Sequence, residues 1–286
     1  MSITNAVATA APSRPRSRSR VWRKLGRNPA ALAGGLIVLL FVLMAIAAPL
    51  IAPYEPNVSS WLTVRKPPSA AHWMGTDDVG RDVMSRLIHG SRASLSAGIT
   101  SVVIALVIGV PLGVVSGYYG GWLDAVISRV TEAVLACPFL ILAIALAAFL
   151  GPSLTNAMIA IGIFNIPVFA RVTRGAALPI WVLDYIRAAR VAGKGAARIS
   201  LQHVLPNIAP VLIVQATIQF SLGILAEAGL SYVGLGAQPP TPSWGRMLAE
   251  AQTLTALAPH VAIVPGLAIV LTVLGLNRSE ERRVGK

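Results

Sequence analysis

About six stretches of this chain are apolar over roughly the 20 residues that a helix needs to cross a bilayer, and this restricts the fold more than any other feature. The runs fall near 30–52, 93–115, 127–150, 154–170, 208–230 and 261–276, the last slightly short unless it begins earlier. In hydrocarbon every backbone N–H and C=O must be satisfied within the segment, so such runs become helices. Only 12% of the residues are charged and 55% are hydrophobic, and the mean hydropathy is +0.70. An ordinary soluble domain is excluded, and the fold class expected is an all-α integral membrane protein with about six transmembrane helices. Its parts are a basic arm over 1–29, a first span with an outer amphipathic segment over 30–92, a membrane core over 93–277 containing a polar loop at 184–207, and a tail over 278–286.

Charge then orients the spans. Arg14, Arg16, Arg18, Arg20, Arg23, Lys24 and Arg27 precede the first run with no acidic residue among them. The stretch 171–207 holds Arg171, Arg174, Arg187, Arg190, Lys194 and Arg198 against Asp184, whereas 53–92 balances its arginines and lysine with Glu55, Asp77, Asp78 and Asp82. By the positive-inside rule the N-terminus and the 171–207 loop are cytoplasmic. The net charge of +13 therefore reflects topology and not nucleic-acid binding, for which a continuous basic patch with interleaved aromatics is wanting. The first run is too long for a signal-peptide core of roughly 7–15 residues and is read as an uncleaved span. Cys137, the single cysteine, provides neither a disulfide framework nor a thiolate metal site and is expected to be a small buried hydrophobe.

Between the spans, prolines 53, 56, 67 and 68 block regular structure, and the stretch HWMGTDDVGRDVMSRLIHGSRASL then offers Thr76 or Asp77 as a helix cap. Val79, Val83, Leu87 and Ile88 fall on one face of an amphipathic helix at the outer interface. Asp77, Asp78 and Asp82 resemble an acid/base or metal cluster, but Arg81 and Arg86 would hold them ionised, and capping with ion pairing accounts for them better. In the third run Glu132 is either a functional intramembrane acid or the partner of Arg129, and Pro138 is expected to kink the helix. The fourth run, interrupted by Pro167, is expected to end at Arg171. In the fifth, Gln215 and Gln219 share a face with Glu227 a quarter-turn away, a stripe that either lines a passage or bonds a neighbouring helix. Trp244 is either an interfacial anchor or packed within its loop.

The loop DYIRAARVAGKGAARISLQHVLPN at 184–207 reads as two short helices, 185–192 and 196–204, joined by a Gly193-Lys194-Gly195 hinge, with Leu205-Pro206-Asn207 ending the second. Ala188, Ala189 and Ala192 form a small-residue face, and Arg187, Arg190, Lys194 and Arg198 offer charge to an acidic partner. The loop is a docking knob or a basic segment held near lipid headgroups.

Ala188-Ala189, Gly193 and His203-x-Leu205-Pro206-Asn207 resemble the EAA loop of permease subunits in bacterial ABC importers. GTDDVGRDVMSRLIHGSRASL is similar to the signature of the C-type permeases of dipeptide, oligopeptide and nickel importers, a more specific motif, and GLGAQPPTPSWGRMLAE resembles their last outer loop. The likeness runs from Trp22 to Leu276. It implies the type I ABC importer permease fold in a bacterial inner membrane. It also implies a second permease subunit in a heterodimer, two ATP-binding cassette ATPases, and an extracytoplasmic solute-binding protein. Arg187, Ala188, Ala189, Gly193, Arg198, His203, Leu205, Pro206 and Asn207 would then form the coupling loop. Arg187 stands where the motif has Glu, so the likeness carries over to the Ala and Gly positions and not to an acidic role there.

Such a subunit catalyses nothing and binds no cofactor, and the chain lacks a GxxxxGK[ST] phosphate loop of its own. Gln215, Gln219, Glu227 and Glu132 are the candidate pathway residues. Peptides are the first expectation for the solute, with nickel or another small solute as the alternative. A rival class is an ion-driven secondary transporter using Glu132 and Glu227. An intramembrane enzyme is disfavoured, because His72, His89, His203 and His260 are scattered and neither HExxH nor GxSxG occurs. The residues after Asn277, RSEERRVGK, are read as a non-native, adapter-derived tail.

Overall fold

A computed structural model describes residues 29–278; residues 1–28 of the expected arm and 279–286 of the expected tail lie outside the described residues. The described residues build helices α1 (Pro29–Ile46), α2 (Val83–Tyr119), α3 (Gly121–Ala136), α4 (Phe139–Leu150), α5 (Leu154–Trp181), α6 (Asp184–Val191), α7 (Leu205–Tyr232), α8 (Trp244–Glu250) and α9 (His260–Arg278). A turn of helix at Ala196–Ile199 and a π-helical turn at Ser200–Val204 lead into α7. The all-α expectation holds. Helices α2, α5, α9 and the continuous 196–232 segment are long and apolar enough to cross a membrane.

Four expectations about the spans are corrected. The third is two helices, α3 and α4, bent by 88° at Cys137-Pro138. Both residues are extended (ψ 127° and 131°), because Pro138 has no N–H to donate and its ring pushes the preceding residue out of the helical region. Cys137 at this corner is exposed, not buried.

The second correction concerns the cap of α2. Asp82 is the N-cap, its carboxylate accepting from the Ser85 amide at 2.7 Å, while Asp77 instead holds its own turn by accepting from the Val79 and Arg81 amides. The expected surface helix is the start of α2, with Val83, Leu87 and Ile88 buried.

Third, α5 does not stop near Arg171. It continues as helix to Trp181 through Pro167 and Pro179, so Arg171 and Arg174 belong to the helix and not to the loop. Fourth, Leu205-Pro206-Asn207 does not end a helix. The Leu205 amide reaches back to the Ser200 carbonyl, and this widened turn relieves the clash between Pro206 and the carbonyl four residues earlier.

Between lipid-embedded helices there is little hydrophobic drive, so association rests on close packing of small residues. The principal seam is α2 against α5. A Cβ on Gly109 would lie 2.6 Å from the Ile166 carbonyl oxygen, and one on Gly113 would lie 2.6 Å from the Thr173 Cβ. One turn on, at Gly117, the nearest atom would be at an ordinary 3.7 Å. A second cluster joins α1, α8 and α9 to the start of α2 through Phe41, Leu87, Trp244 and Ile269. Arg92 on α2 donates to the Ala45 and Ile46 carbonyls and so caps the end of α1. Gly113→Val is expected to force α2 off α5 and cost about 3 kcal/mol or more, seen as loss of the monodisperse peak and a lower thermal midpoint in detergent. Gly117→Ala is expected to change neither.

Candidate functional site

The loop at 184–204 is anchored on one side and bare on the other. On α6, Ile186 and Ala189 turn inward, and Ile199, Val204 and Ile208 follow from the next segment. They join Val110, Val114, Phe169, Ala177 and Trp181 in one buried cluster. Arg187, Ala188 and Ala192 face outward with Val191, which is 90% exposed. Arg198 and Leu201, 67% exposed, continue this surface beyond the turn. The expected small-residue face is corrected at Ala189, which faces the core because it stands three residues after Ile186, on the same side of the helix. The hydrophobic spacing of 186, 189, 199 and 204 was the available signal for the anchors. The exposed Val191 and Leu201 were missed because an apolar residue among basic ones reads as core.

Gly193 adopts φ +79° with open space around it. Its conformation, not crowding, calls for glycine. The Lys194 amide bonds the Ala189 carbonyl and the Gly193 amide bonds that of Arg190, at 3.1 and 2.9 Å, the paired bonds of a helix C-cap. His203 and Asn207 tie the two halves together. Asn207 Nδ2 donates to the His203 carbonyl at 2.6 Å and to the Tyr185 hydroxyl at 3.2 Å. The Tyr185 and His203 rings stand 6.0 Å apart, and Lys194 Nζ donates to Gln202 at 3.0 Å. The Arg190 guanidinium lies 5.3 Å from the Tyr118 ring centre and 5.6 Å from that of Trp181, clasping the ends of α2 and α5. Leu205 is half-buried and Pro206 exposed.

At the same end of the bundle the Asp124 carboxylate accepts from Arg174 Nε at 2.6 Å and Nη2 at 2.5 Å, a bidentate pair, and from the Ser116 hydroxyl. It thereby joins α3, α5 and α2. The opposite end carries a second knot. Arg86, 1% exposed, and Arg81 both donate to Glu250 Oε2, at 2.7 and 2.9 Å, while Arg246 Nε reaches Oε1 at 3.1 Å. Arg81 Nε also pairs with Asp77 at 2.6 Å, and His72 Nδ1 lies 3.0 Å from Asp82. Asp77 and Glu250 are thus matched by arginines. Trp244 is fully buried and not an anchor at the interface, its Nε1 donating to the Leu87 carbonyl at 3.1 Å.

The four candidate pathway residues form no common hydrogen-bonded cluster. Glu132 is 3.2 Å from Arg129 and 4.0 Å from Arg171. Glu227 is fully buried, accepting from the Ser94 and Ser231 hydroxyls at 3.1 and 2.7 Å. Gln215 is half-buried, whereas Gln219 is buried in the wall of a groove between the start of α4, α5 and α7.

Comparison with known proteins gives concordant results. Residues 109–281 match the family described as binding-protein-dependent transport system inner membrane component, and residues 18–68 match the N-terminal transmembrane domain of oligopeptide transport permease C. A glutathione transport system permease protein of Pectobacterium atrosepticum is 44% identical over 257 residues, covering 90% of this chain and 85% of its own. A dipeptide transport system permease protein of Alkalihalophilus pseudofirmus is 44% identical over 259 residues, covering 90% and 84%. A di/tripeptide transport system permease protein of Pseudomonas aeruginosa is 44% identical over 269 residues, covering 92% and 89%. Among solved structures, an inward-facing methionine ABC transporter superposes with a TM-score of 0.61 at 23% identity, over 71% of this chain and 96% of that one, a likeness of fold.

Ile186→Ala is expected to cost about 2–5 kcal/mol, all of it in the seating of the loop. Limited proteolysis should cut within 184–204 faster while the α2–α5 pair stays protected, and Val191→Ala, on the bare side, should leave the cutting rate unchanged.

Proposed function

Since the chain belongs to the family of binding-protein-dependent transport system inner membrane components, we propose that it is one of two permease subunits of an ATP-driven importer of di- and oligopeptides. In this reading it lines half of the passage, and the bare face of α6 seats in a partner ATPase. The N-terminus and the α6 loop lie on the cytoplasmic side, where the basic excess of 171–207 and the ATP both are. The remaining partners are a related second permease, a second ATPase and an extracytoplasmic solute-binding protein. ATP is hydrolysed by the ATPases, and this subunit converts their movement into a tilt of its helices.

The observation that carries this reading is the two-sidedness of the loop. A partner that pushes on Arg187, Ala188, Val191 and Arg198 pushes, through Ile186 and Ile199, on the ends of α2, α5 and α7. The Arg190 clasp opposes slippage of the loop against those ends, and the Asp124–Arg174 pair ties α5 to α3 beside them. Load is thus passed to the membrane helices through packed contacts with two discrete arrangements, inward and outward open. Peptide as the solute is supported by relatives named for glutathione, dipeptides and di/tripeptides. Among the described residues no cluster of His, Cys, Asp and Glu favours nickel. The ion-driven alternative needs a carboxylate free to load and release a proton in the passage, whereas Glu132 is paired with arginines and Glu227 is enclosed by serines.

Ala188→Trp, on the bare face, is expected to leave the permease pair assembled and to weaken ATPase retention on co-purification at least tenfold, about 1.4 kcal/mol or more, with matching loss of ATP-driven peptide uptake. Glu132→Gln is expected to transport within about twofold of the native chain, since it removes only an exposed ion pair. Full uptake by Ala188→Trp with loss of uptake by Glu132→Gln would reverse the assignment in favour of the ion-driven transporter.

A further inference from the structure

The groove between α4, α5 and α7 encloses about 560 Å³, within the range in which small ligands are held, roughly 300–1,000 Å³. Phe139, Phe164, Leu222 and Leu225 make its walls overwhelmingly apolar. Two carboxamides interrupt them, Asn165 on α5 and Gln219 on α7, each near the middle of its helix. They are 5% and 6% exposed, and neither side chain has a hydrogen-bond partner among the described residues. At membrane depth an unbonded amide is costly, and polar side chains there ordinarily find a partner. Glu227, two turns further along α7, shows the ordinary outcome, with two serine hydroxyls on its carboxylate. Asn165 and Gln219 are kept unbonded on the wall of the same cavity.

Resting on the peptide-importer reading, we propose that Asn165 and Gln219 are a carboxamide pair that hydrogen-bonds the backbone amides of a peptide in transit. Each carboxamide is both donor and acceptor, as each peptide unit is, so the pair can engage the N–H and C=O of an extended chain whatever its side chains. The apolar walls meet those side chains without selecting among them. A helix of the second permease fits the pair less well, because its backbone groups already bond one another and only a polar side chain could answer. An extended peptide has every backbone group free. Gln219 stood out in the sequence as a polar residue in a span, whereas Asn165 did not, since its relation to the groove depends on how α5 packs against α7.

The test is uptake of radiolabelled trialanine by proteoliposomes holding the complete importer, with both permeases, the ATPases and the binding protein. The chain is native, Asn165→Leu, Gln219→Met, or both, volume-conserving changes that remove the amide and keep the bulk. Trialanine with both peptide nitrogens methylated, supplied at concentrations that saturate the binding protein, is measured beside it on the native complex. Expected are assembly and ATP hydrolysis retained in the variants, uptake per ATP about tenfold lower in the double variant, and a similar deficit for methylated trialanine on the native complex. The double variant should handle the two peptides alike. Native-level trialanine uptake by the double variant would overturn the pair's role. So would loss of assembly with the second permease, which would make the carboxamides a subunit seam. A native complex that hydrolyses ATP and takes up no trialanine rejects the peptide reading itself, before any variant is compared.

Discussion

The close approach of α2 and α5 is the contact on which the rest of the structure depends. Their backbones meet at Gly109 and Gly113, where a side chain would drive them apart, and at that separation dispersion and complementary shape supply the attraction that hydrocarbon surroundings do not. With 37 residues, α2 is roughly 55 Å long at 1.5 Å per residue, well beyond a hydrocarbon thickness of about 30 Å. Both ends therefore reach water, and both carry charged knots. At one end Arg86 meets Glu250, and at the other Ser116 and Asp124 meet Arg174. The helix is a strut tied to other elements at each end, with α5 packed along its length.

The knot at the start of α2 explains the spacing of GTDDVGRDVMSR without catalysis. Asp77 turns the chain and faces Arg81, Asp82 caps α2, and Arg86, one turn into the helix, is carried inward to Glu250. A buried guanidinium of this kind is tolerable only with its anion in place, since removing one partner strands the other charge away from water. Ser94, on the same helix, bonds both Glu227 and the Trp244 amide, so α2, α7 and the segment before α9 are fixed to each other beneath the knot.

Much of this was legible in the sequence. Length and apolarity identify four spans outright and a fifth as a bent pair. The GTD and EAA-like motifs point to the family, and the Asp and Arg pattern reads as ion pairing. What escaped depends on contacts between segments distant in sequence. Pro138 breaks its helix and Pro206 does not, because a π-helical turn precedes Pro206 and accommodates it. Ala189 and Ala188 are chemically identical, yet only Ala189 is buried in the cluster that holds Trp181 and Val114. Arg190 was read as a charge for a partner and is stacked on Tyr118 and Trp181. The GVPLG stretch at 109–113 holds the spacing of small residues that permits close helix packing, but only the presence of α5 against it gives that spacing a meaning.

The central claim is that the α6 loop rides on α2 and α5 as one body, so that motion imposed on its bare face becomes motion of the spans. The direct measurement is the distance between spin labels at Ala192→Cys on the loop and Val107→Cys on α2, both exposed positions, in a Cys137→Ser background and in the assembled importer with and without trapped ATP. If the loop is seated as described, the distance distribution keeps its single peak in both states, while label pairs between this subunit and its partner permease move. A loop–α2 peak that shifts or splits when ATP is trapped would mean that the loop swings on its hinge independently of the spans, and the mechanical link proposed for this subunit would fail.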